Sequence, residues 1–178
     1  MQKFTLNLQH HPITPVTWIQ QVTVDCAIDN KGMALTYQIL GNMQQLQLPV
    51  CNRAPIRADN LWLHTCCELF IAPIDSTHYQ EWNFAPTGDW QLYEFSSYRA
   101  NRTTPETLAP HINYLLTAKQ FTLNTQISPS WRFHNMPESR LGVSLVIQDV
   151  NNKICYWALK HFVTTPDFHW DGSWDKKI

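Results

Sequence analysis

The sequence predicts an all-β, antiparallel β-sandwich. Three observations carry that expectation. Apolar and polar residues alternate along most of the chain, no apolar stripe of period 3.6 runs longer than two turns, and Asn, Asp, Gly and Pro clusters punctuate the alternation at short intervals. "VTVDCAI" (22–28) puts Val22, Val24, Cys26 and Ile28 on one face, and "LTYQI" (35–39) does the same with Leu35, Tyr37 and Ile39. "FTLNTQI" (121–127) supplies Phe121, Leu123 and Ile127, and "LGVSLVI" (141–147) supplies Leu141, Val143, Leu145 and Ile147. About ten such segments favour a sandwich over alternating strands and helices. A chain of 178 residues suits a single domain, 1–178, with a sizeable core. The Pro-bearing stretches 49–59, 99–110 and 129–139 read as the long loops.

Residues 66–95, "CCELFIAPIDSTHYQEWNFAPTGDWQLYEF", read as three consecutive strands. "APTGDW" is a tight turn, with Pro86 and Gly88 in turn-favouring places. If Ala85 faces Trp90 across it, Glu81 falls opposite Glu94 and Trp82 opposite Tyr93. A similar closure at 73–78 sets Phe70 opposite Glu81 and Glu68 opposite Asn83. One face then carries Leu69, Ile71, Trp82, Phe84, Tyr93 and Phe95 as core. The other carries Glu68, Tyr79, Glu81, Asn83, Trp90 and Glu94. A solvated sheet face accounts for the second set, yet two glutamates directly opposite destabilise a sheet. Arg99, Arg57, Lys160, a cation or a hydroxyl-rich ligand would have to compensate. Glutamates beside an asparagine and large rings suit the binding of a polyol.

Composition narrows the function. A net charge of −1 and thirteen scattered Lys and Arg give no long-range pull on nucleic acid or an anionic membrane. Only five glycines occur, none in a strand-to-helix phosphate loop, and no GxSxG or HExxH motif appears. The five cysteines (Cys26, Cys51, Cys66, Cys67, Cys155) form neither a disulfide framework nor a zinc pattern. With no apolar run at the N-terminus, the expectation is a cytoplasmic protein that needs no cofactor. Eight tryptophans are the anomaly: that density either fills a large core or lines a site for flat ligands.

Three stretches, "DNLWLHTCCELFIAP" (59–73), "YQEWNFAPTGDWQLYEFSSYR" (79–99) and "YWALKHFVTTPDFHW" (156–170), together resemble the bacterial DOMON-like proteins. The resemblance spans about 53–170. It rests on Leu61, Trp62, Thr65, Cys66, Glu68, Glu81, Asn83, Phe84, Pro86, Gly88, Trp90, Tyr93, Tyr98, Arg99, Trp157, Ala158, Leu159, His161, Pro166, Asp167, Phe168 and His169. The chain departs from that pattern at Cys67, Trp82, Ala85, Thr87 and Phe162, mostly conservatively. The resemblance implies a β-sandwich related to family 9 carbohydrate-binding modules and to DOMON domains, which bind sugars or haem. In the sugar-binding relatives a tryptophan pair clamps the saccharide. Those relatives are mostly secreted, whereas this N-terminus carries no export pattern.

The expected ligand-binding set is Trp62, His64, Glu81, Asn83, Trp90, Arg99, His161, Asp167 and His169. Trp62 leads as a stacking wall and Trp90 at the "PTGDW" turn comes second; the bland alternative closes the core with each. Trp157 reads as core. Arg99 suits either sugar hydroxyls or an ion pair with Glu81 or Glu94, and the pair is the more ordinary role. His161 at a strand end reads as structural. Asp167, His169 and Asp171 alternate along an extended segment and could hold a cation, although a solvated C-terminal loop explains the pattern equally well. A sugar on one indole removes ~100 Å² of apolar area, about 2.5 kcal/mol at ~25 cal/mol per Å². Two walls barely offset an association cost of ~4–15 kcal/mol, so micromolar-to-millimolar affinity is expected.

The leading function is therefore a non-catalytic saccharide-binding sandwich. One alternative is a hydrolase built on a carboxylate pair such as Glu68 and Glu81, or on His161 with Asp167. The other is a haem or metal binder, with ligands available among four methionines (Met1, Met33, Met43, Met136) and eight histidines.

Overall fold

A computed structural model describes residues 1–128, 138–161, 164–174 and 176–178. Strands form where the alternation is found: β1 (Gln2–His10), β2 (Ile19–Asp29), β3 (Gly32–Gly41), β4 (Leu46–Gln47), β5 (Cys66–Pro73), β6 (Tyr79–Phe84), β7 (Trp90–Phe95), β8 (His111–Leu116), β9 (Gln120–Ile127), β10 (Ser139–Asp149), β11 (Ile154–Ala158) and β12 (Lys176–Lys177). They hydrogen-bond in the order β7-β6-β5-β10-β11-β1-β2-β3-β9-β8, with β4 and β12 both on β10. Every named pairing is antiparallel. β1 links the two layers: Gln2–Leu8 pair with β2, whereas Gln9 and His10 pair with Ala158 and Trp157 of β11. The chain is thus an all-β, antiparallel β-sandwich.

The main core lies between the layers. Val22, Val24, Cys26, Leu35, Tyr37, Ile39, Phe121 and Leu123 from one layer meet Leu69, Ile71, Trp82, Phe84, Leu141, Val143, Leu145, Ile147 and Trp157 from the other. Each of the four alternating strand readings holds, Ile28 being only partly buried at the margin. Tyr37, fully buried, satisfies its hydroxyl by donating to the Glu68 carbonyl at 2.8 Å, which ties the layers together across the core. Loops 49–59 and 99–110 contain no strand. Of 129–139, positions 129–137 lie outside the described residues, as do Met136 and Phe162.

The β5–β6 register is as expected, with Phe70 opposite Glu81 and Glu68 opposite Asn83. The β6–β7 register differs by one residue: Phe84 faces Trp90, Glu81 faces Tyr93, and Gln80 faces Glu94. The cause is the turn. Ala85 N–H donates to the Asp89 carbonyl (2.9 Å) and Gly88 N–H to the Ala85 carbonyl (2.9 Å), with Gly88 at φ 86. A left-handed glycine bulge thus adds one residue to a two-residue turn, leaving three residues in the loop (86–88) where the symmetric closure expected four. A one-residue slip moves every β7 side chain to the opposite face. Trp90 and Leu92 therefore join the core, and Tyr93 and Phe95 face outward. The Trp90 indole stacks on Trp82 at 6.0 Å.

A second apolar cluster covers the outer face of the β5-bearing layer. Phe70, Tyr79, Tyr93, Phe95, Val146 and Ala158 from the sheet pack with Phe168 and Trp174 from the C-terminal segment. No helix among the described residues is long and apolar enough to cross a membrane. Truncating Trp90 removes a stacked core ring, so Trp90→Ala should lose about 3–5 kcal/mol. Half-buried Trp62→Ala should lose roughly 1 kcal/mol. Urea unfolding of both variants measures the difference, and equal losses would contradict the register.

Candidate functional site

Two cross-strand rows build the floor of a cleft on that outer face. One runs Ala158–Ser144–Glu68–Asn83–Gln91 across β11, β10, β5, β6 and β7. The next runs Gly142–Phe70–Glu81–Tyr93. Glu68 and Glu81 are thus diagonal neighbours on one face rather than directly opposed. Gly142 has a specific reason to lack a side chain, because a Cβ there would lie 2.2 Å from Cδ1 of Trp174. The bare backbone lets that indole settle beside the sheet, stacked on Phe70 at 5.5 Å, with its Nε1–H donating to the Phe168 carbonyl at 2.9 Å. Trp174 in turn holds Phe168 and His169 over the floor.

Three loop segments raise the walls. A 3₁₀ turn, Leu61–Leu63, follows Asn60 in the left-handed region (φ 63). Asp59 anchors it by accepting from the Tyr93 hydroxyl (2.6 Å) and from Gln91 Nε2 (3.0 Å). Trp62 consequently meets Tyr93 edge to face at 5.8 Å. After β7 the chain reverses with Arg99 and Asn101 both at positive φ (52° and 51°). Arg99 is held there by its N–H donating to Tyr79 Oη (3.1 Å) and by its guanidinium reaching Asp167 Oδ1 at 3.0 Å. A left-handed arginine costs energy, and such strain concentrates at functional sites. The third wall is Pro166–His169. Together these enclose a cleft of about 480 Å³, lined among others by Trp62, Glu68, Phe70, Glu81, Tyr93, Phe95, Arg99, Arg102, Tyr156, Phe168 and His169.

The floor is electrostatically unusual. Burial, and after it the charge of Glu81, push the Glu68 carboxyl up to about 8, against a hydrogen bond from Ser144 Oγ (2.8 Å) and the field of Arg99. Burial likewise lifts Glu81 to about 7, opposed by Asn83 Nδ2 donating at 2.8 Å and by Arg99 and Arg102. His169 lies 3.5 Å from Glu81, yet burial drives its pKa down to about 3, so the ring is neutral at physiological pH. Its Nδ1 meets the Tyr79 hydroxyl at 2.7 Å. Asp167 is held below the ordinary carboxyl range: hydrogen bonds from Tyr98 and Arg99 outweigh its partial burial.

Of the residues expected at a site, Trp62, Glu81, Arg99 and His169 line the cleft. Asn83 is fully buried and orients Glu81, and Asp167 orients Arg99 and accepts from the His169 N–H at 3.1 Å. The structure places the other expected residues elsewhere. Trp90 is core, for the register reason given above, and no tryptophan pair flanks the cleft: among the described tryptophans only Trp62 lines it. His64 stands at the surface, bonded to Gln148 Oε1 at 3.0 Å. His161 pairs with the Gln9 carbonyl (2.9 Å) and packs on His11, and it makes no bond to Asp167. Arg99 pairs with Asp167, not with Glu81 or Glu94. Nor do Asp167, His169 and Asp171 converge on a cation, because Asp171 is engaged by Arg140 at 2.7 Å. No metal-holding group of three or more His, Cys, Asp or Glu occurs among the described residues. Met33 and Met43 are buried in the core. Sequence reasoning missed Tyr93, Phe95 and Arg102 in the lining, the first two through the register slip.

No family model and no curated protein matches the chain. Three solved chains do. One, from Bacteroides uniformis and described as a candidate carbohydrate-binding protein, superposes with a TM-score of 0.67 at 13% identity, covering 97% of this chain and 83% of its own. At that identity the likeness is one of fold.

Two expectations follow from this geometry. In an unfolded chain a glutamate titrates near 4.5; the folded values are higher, so ionisation opposes folding. The penalty is absent below about pH 4.5, grows as pH rises, and is complete above about pH 8. Glu68→Gln should therefore stabilise the protein more at about pH 9 than at about pH 5. Urea midpoints at both values measure it, and His169, common to both proteins, cancels. Separately, Gly142→Ala should displace Trp174 and loosen the 164–174 wall, visible as red-shifted tryptophan fluorescence and faster proteolysis near the C-terminus.

Proposed function

We propose that the chain is a non-catalytic saccharide-binding β-sandwich of the DOMON-like kind, acting as one domain and taking its ligand in the outer-face cleft. The observation that carries this reading is the pairing of two buried carboxyls with a ring of aromatic side chains inside one opening of about 480 Å³. That volume suits a mono- or disaccharide. Trp62 and Tyr93 offer ring faces for the sugar's C–H surface, while Glu68, Glu81 and Arg99 offer acceptors and donors for its hydroxyls. The fold shared with a candidate carbohydrate-binding protein supports the same reading. Five free thiols support a reducing, cytoplasmic setting.

With one indole rather than two, stacking contributes about 2.5 kcal/mol. Hydrogen bonds to the buried carboxyls must then supply most of the affinity and all of the selectivity. Affinity in the roughly micromolar-to-millimolar range follows.

A second reading, glycoside hydrolysis, draws on one observation. Glu68 and Glu81 share a cleft floor with both carboxyls raised, as a general acid requires.

Isothermal calorimetry against mono- and oligosaccharides should give saturable heat, weakened about tenfold by Trp62→Ala and unaffected in stoichiometry by Trp90→Phe. Absence of heat at millimolar sugar would overturn the binding reading. Turnover of chromogenic glycosides, abolished by Glu81→Gln, would replace it with the hydrolase.

A further inference from the structure

The charges around the cleft do not cancel. Arg99 is paired with Asp167 at 3.0 Å. Arg102 lies over the Tyr93 ring at 4.9 Å and also acts on Asp59, whose carboxyl is lowered chiefly by hydrogen bonds from Tyr93 and Gln91 and further by Arg102 and Arg57. Arg99 thus has an aspartate of its own, while the field of Arg102 falls on Asp59 and on Glu81 alike. What remains is the pair on the floor, Glu68 and Glu81, 3% and 4% exposed. Glu68 accepts from Ser144 through Oε2; among the described residues no donor reaches its Oε1. Two buried carboxyls with a free acceptor aimed into an open cleft lack a counter-charge.

Among the described residues no arginine or lysine makes an ion pair with either carboxyl. From β5, burial keeps the Cys66 and Cys67 thiols protonated. From β6 and β7, the Tyr79 and Tyr93 hydroxyls are raised and neutral. From the C-terminal wall, His169 is neutral. From β10 comes only the Ser144 hydroxyl. The fields of Arg99 and Arg102 lower the pair, yet burial wins. The rings beside the acids complete the arrangement. Glu81 is flanked in its row by Phe70 and Tyr93, with Phe95 and Trp62 also lining the cleft. Aromatic faces around a carboxylate are the surroundings in which an ammonium group is held.

We propose that the cleft selects a saccharide bearing a free amino group, its ammonium seated against Glu68 and Glu81 among Phe70, Tyr93 and Phe95. The inference rests on the saccharide-binding reading and sharpens it. Bringing a cation to the pair favours the ionised carboxyls, so binding releases a proton from the protein to solvent, and nothing covalent changes. A neutral sugar has no such effect, because its hydroxyls can donate to a carboxylate or accept from the protonated acid equally well. An acetylated amine loses both its charge and its fit.

Calorimetry with glucosamine, N-acetylglucosamine and glucose tests this at about pH 6.5, where an amino group of this kind is protonated. The expected result is roughly tenfold or more tighter binding of glucosamine, a difference of about 1.4 kcal/mol. Its heat should vary with the ionisation enthalpy of the buffer as a proton is released, and Glu68→Gln and Glu81→Gln should each erase the preference. Far-ultraviolet dichroism of both variants checks that they fold. Equal affinity for glucose and glucosamine, or heat independent of buffer, overturns the amino-sugar inference and leaves saccharide binding standing. No heat from any of the three sugars overturns both.

Discussion

Between β6 and β7 the chain closes its turn around a left-handed Gly88, and the extra residue this inserts sets which side of the sheet every β7 side chain occupies. Trp90 and Leu92 go inward, and the sandwich gains a stacked indole pair at its centre. Tyr93 and Phe95 go outward, and the outer face becomes aromatic enough to need cover. The cover is provided by Trp62, Phe168 and Trp174, and the incomplete closure of these lids is the cleft. Without the bulge, Tyr93 would be core, Asp59 would lose its hydroxyl partner, and the 3₁₀ turn bearing Trp62 would have no anchor. Gly88 has a further constraint, since a Cβ would fall 2.7 Å from Pro55 Cγ.

The same face shows why the acids sit where they do. A sheet places diagonal neighbours within reach of each other's fields without the full repulsion of a direct pair. Glu68 and Glu81 use that spacing, each with one hydrogen-bond donor, from Ser144 and Asn83. One donor per buried carboxyl is too few to hold it ionised against desolvation. The site therefore carries an electrostatic deficit that a bound molecule can relieve, and the strained Arg99 at its rim is kept in place by Asp167 and Tyr79. Stability and ligand selectivity thus draw on the same few groups.

Particular residues mark how much was legible beforehand. Alternation placed Val24, Tyr37, Leu123 and Leu145 in the core because burial repeats every second residue in a strand, whatever the partner. Phe70 opposite Glu81 was readable from the closure at 73–78. Trp90 was misplaced because a glycine bulge and a symmetric turn look alike in sequence while differing by one residue in register. His64 and His161 were drawn to the site by type and proximity along the chain, but their partners, Gln148 and the Gln9 carbonyl, are distant in sequence. Arg102 carried no local signal, since it lines the cleft only through the fold of its loop.

By itself the sequence determined the class of fold, the faces of its long strands and the richness of one region in rings and acids, because each depends on spacing between near neighbours. Tertiary structure alone decided which tryptophan borders a cavity, which aspartate neutralises which arginine, and that two glutamates are left over. Those outcomes depend on register between strands and on segments 59–63, 99–102 and 166–174 meeting over one sheet, contacts between residues too far apart along the chain for any local pattern to encode.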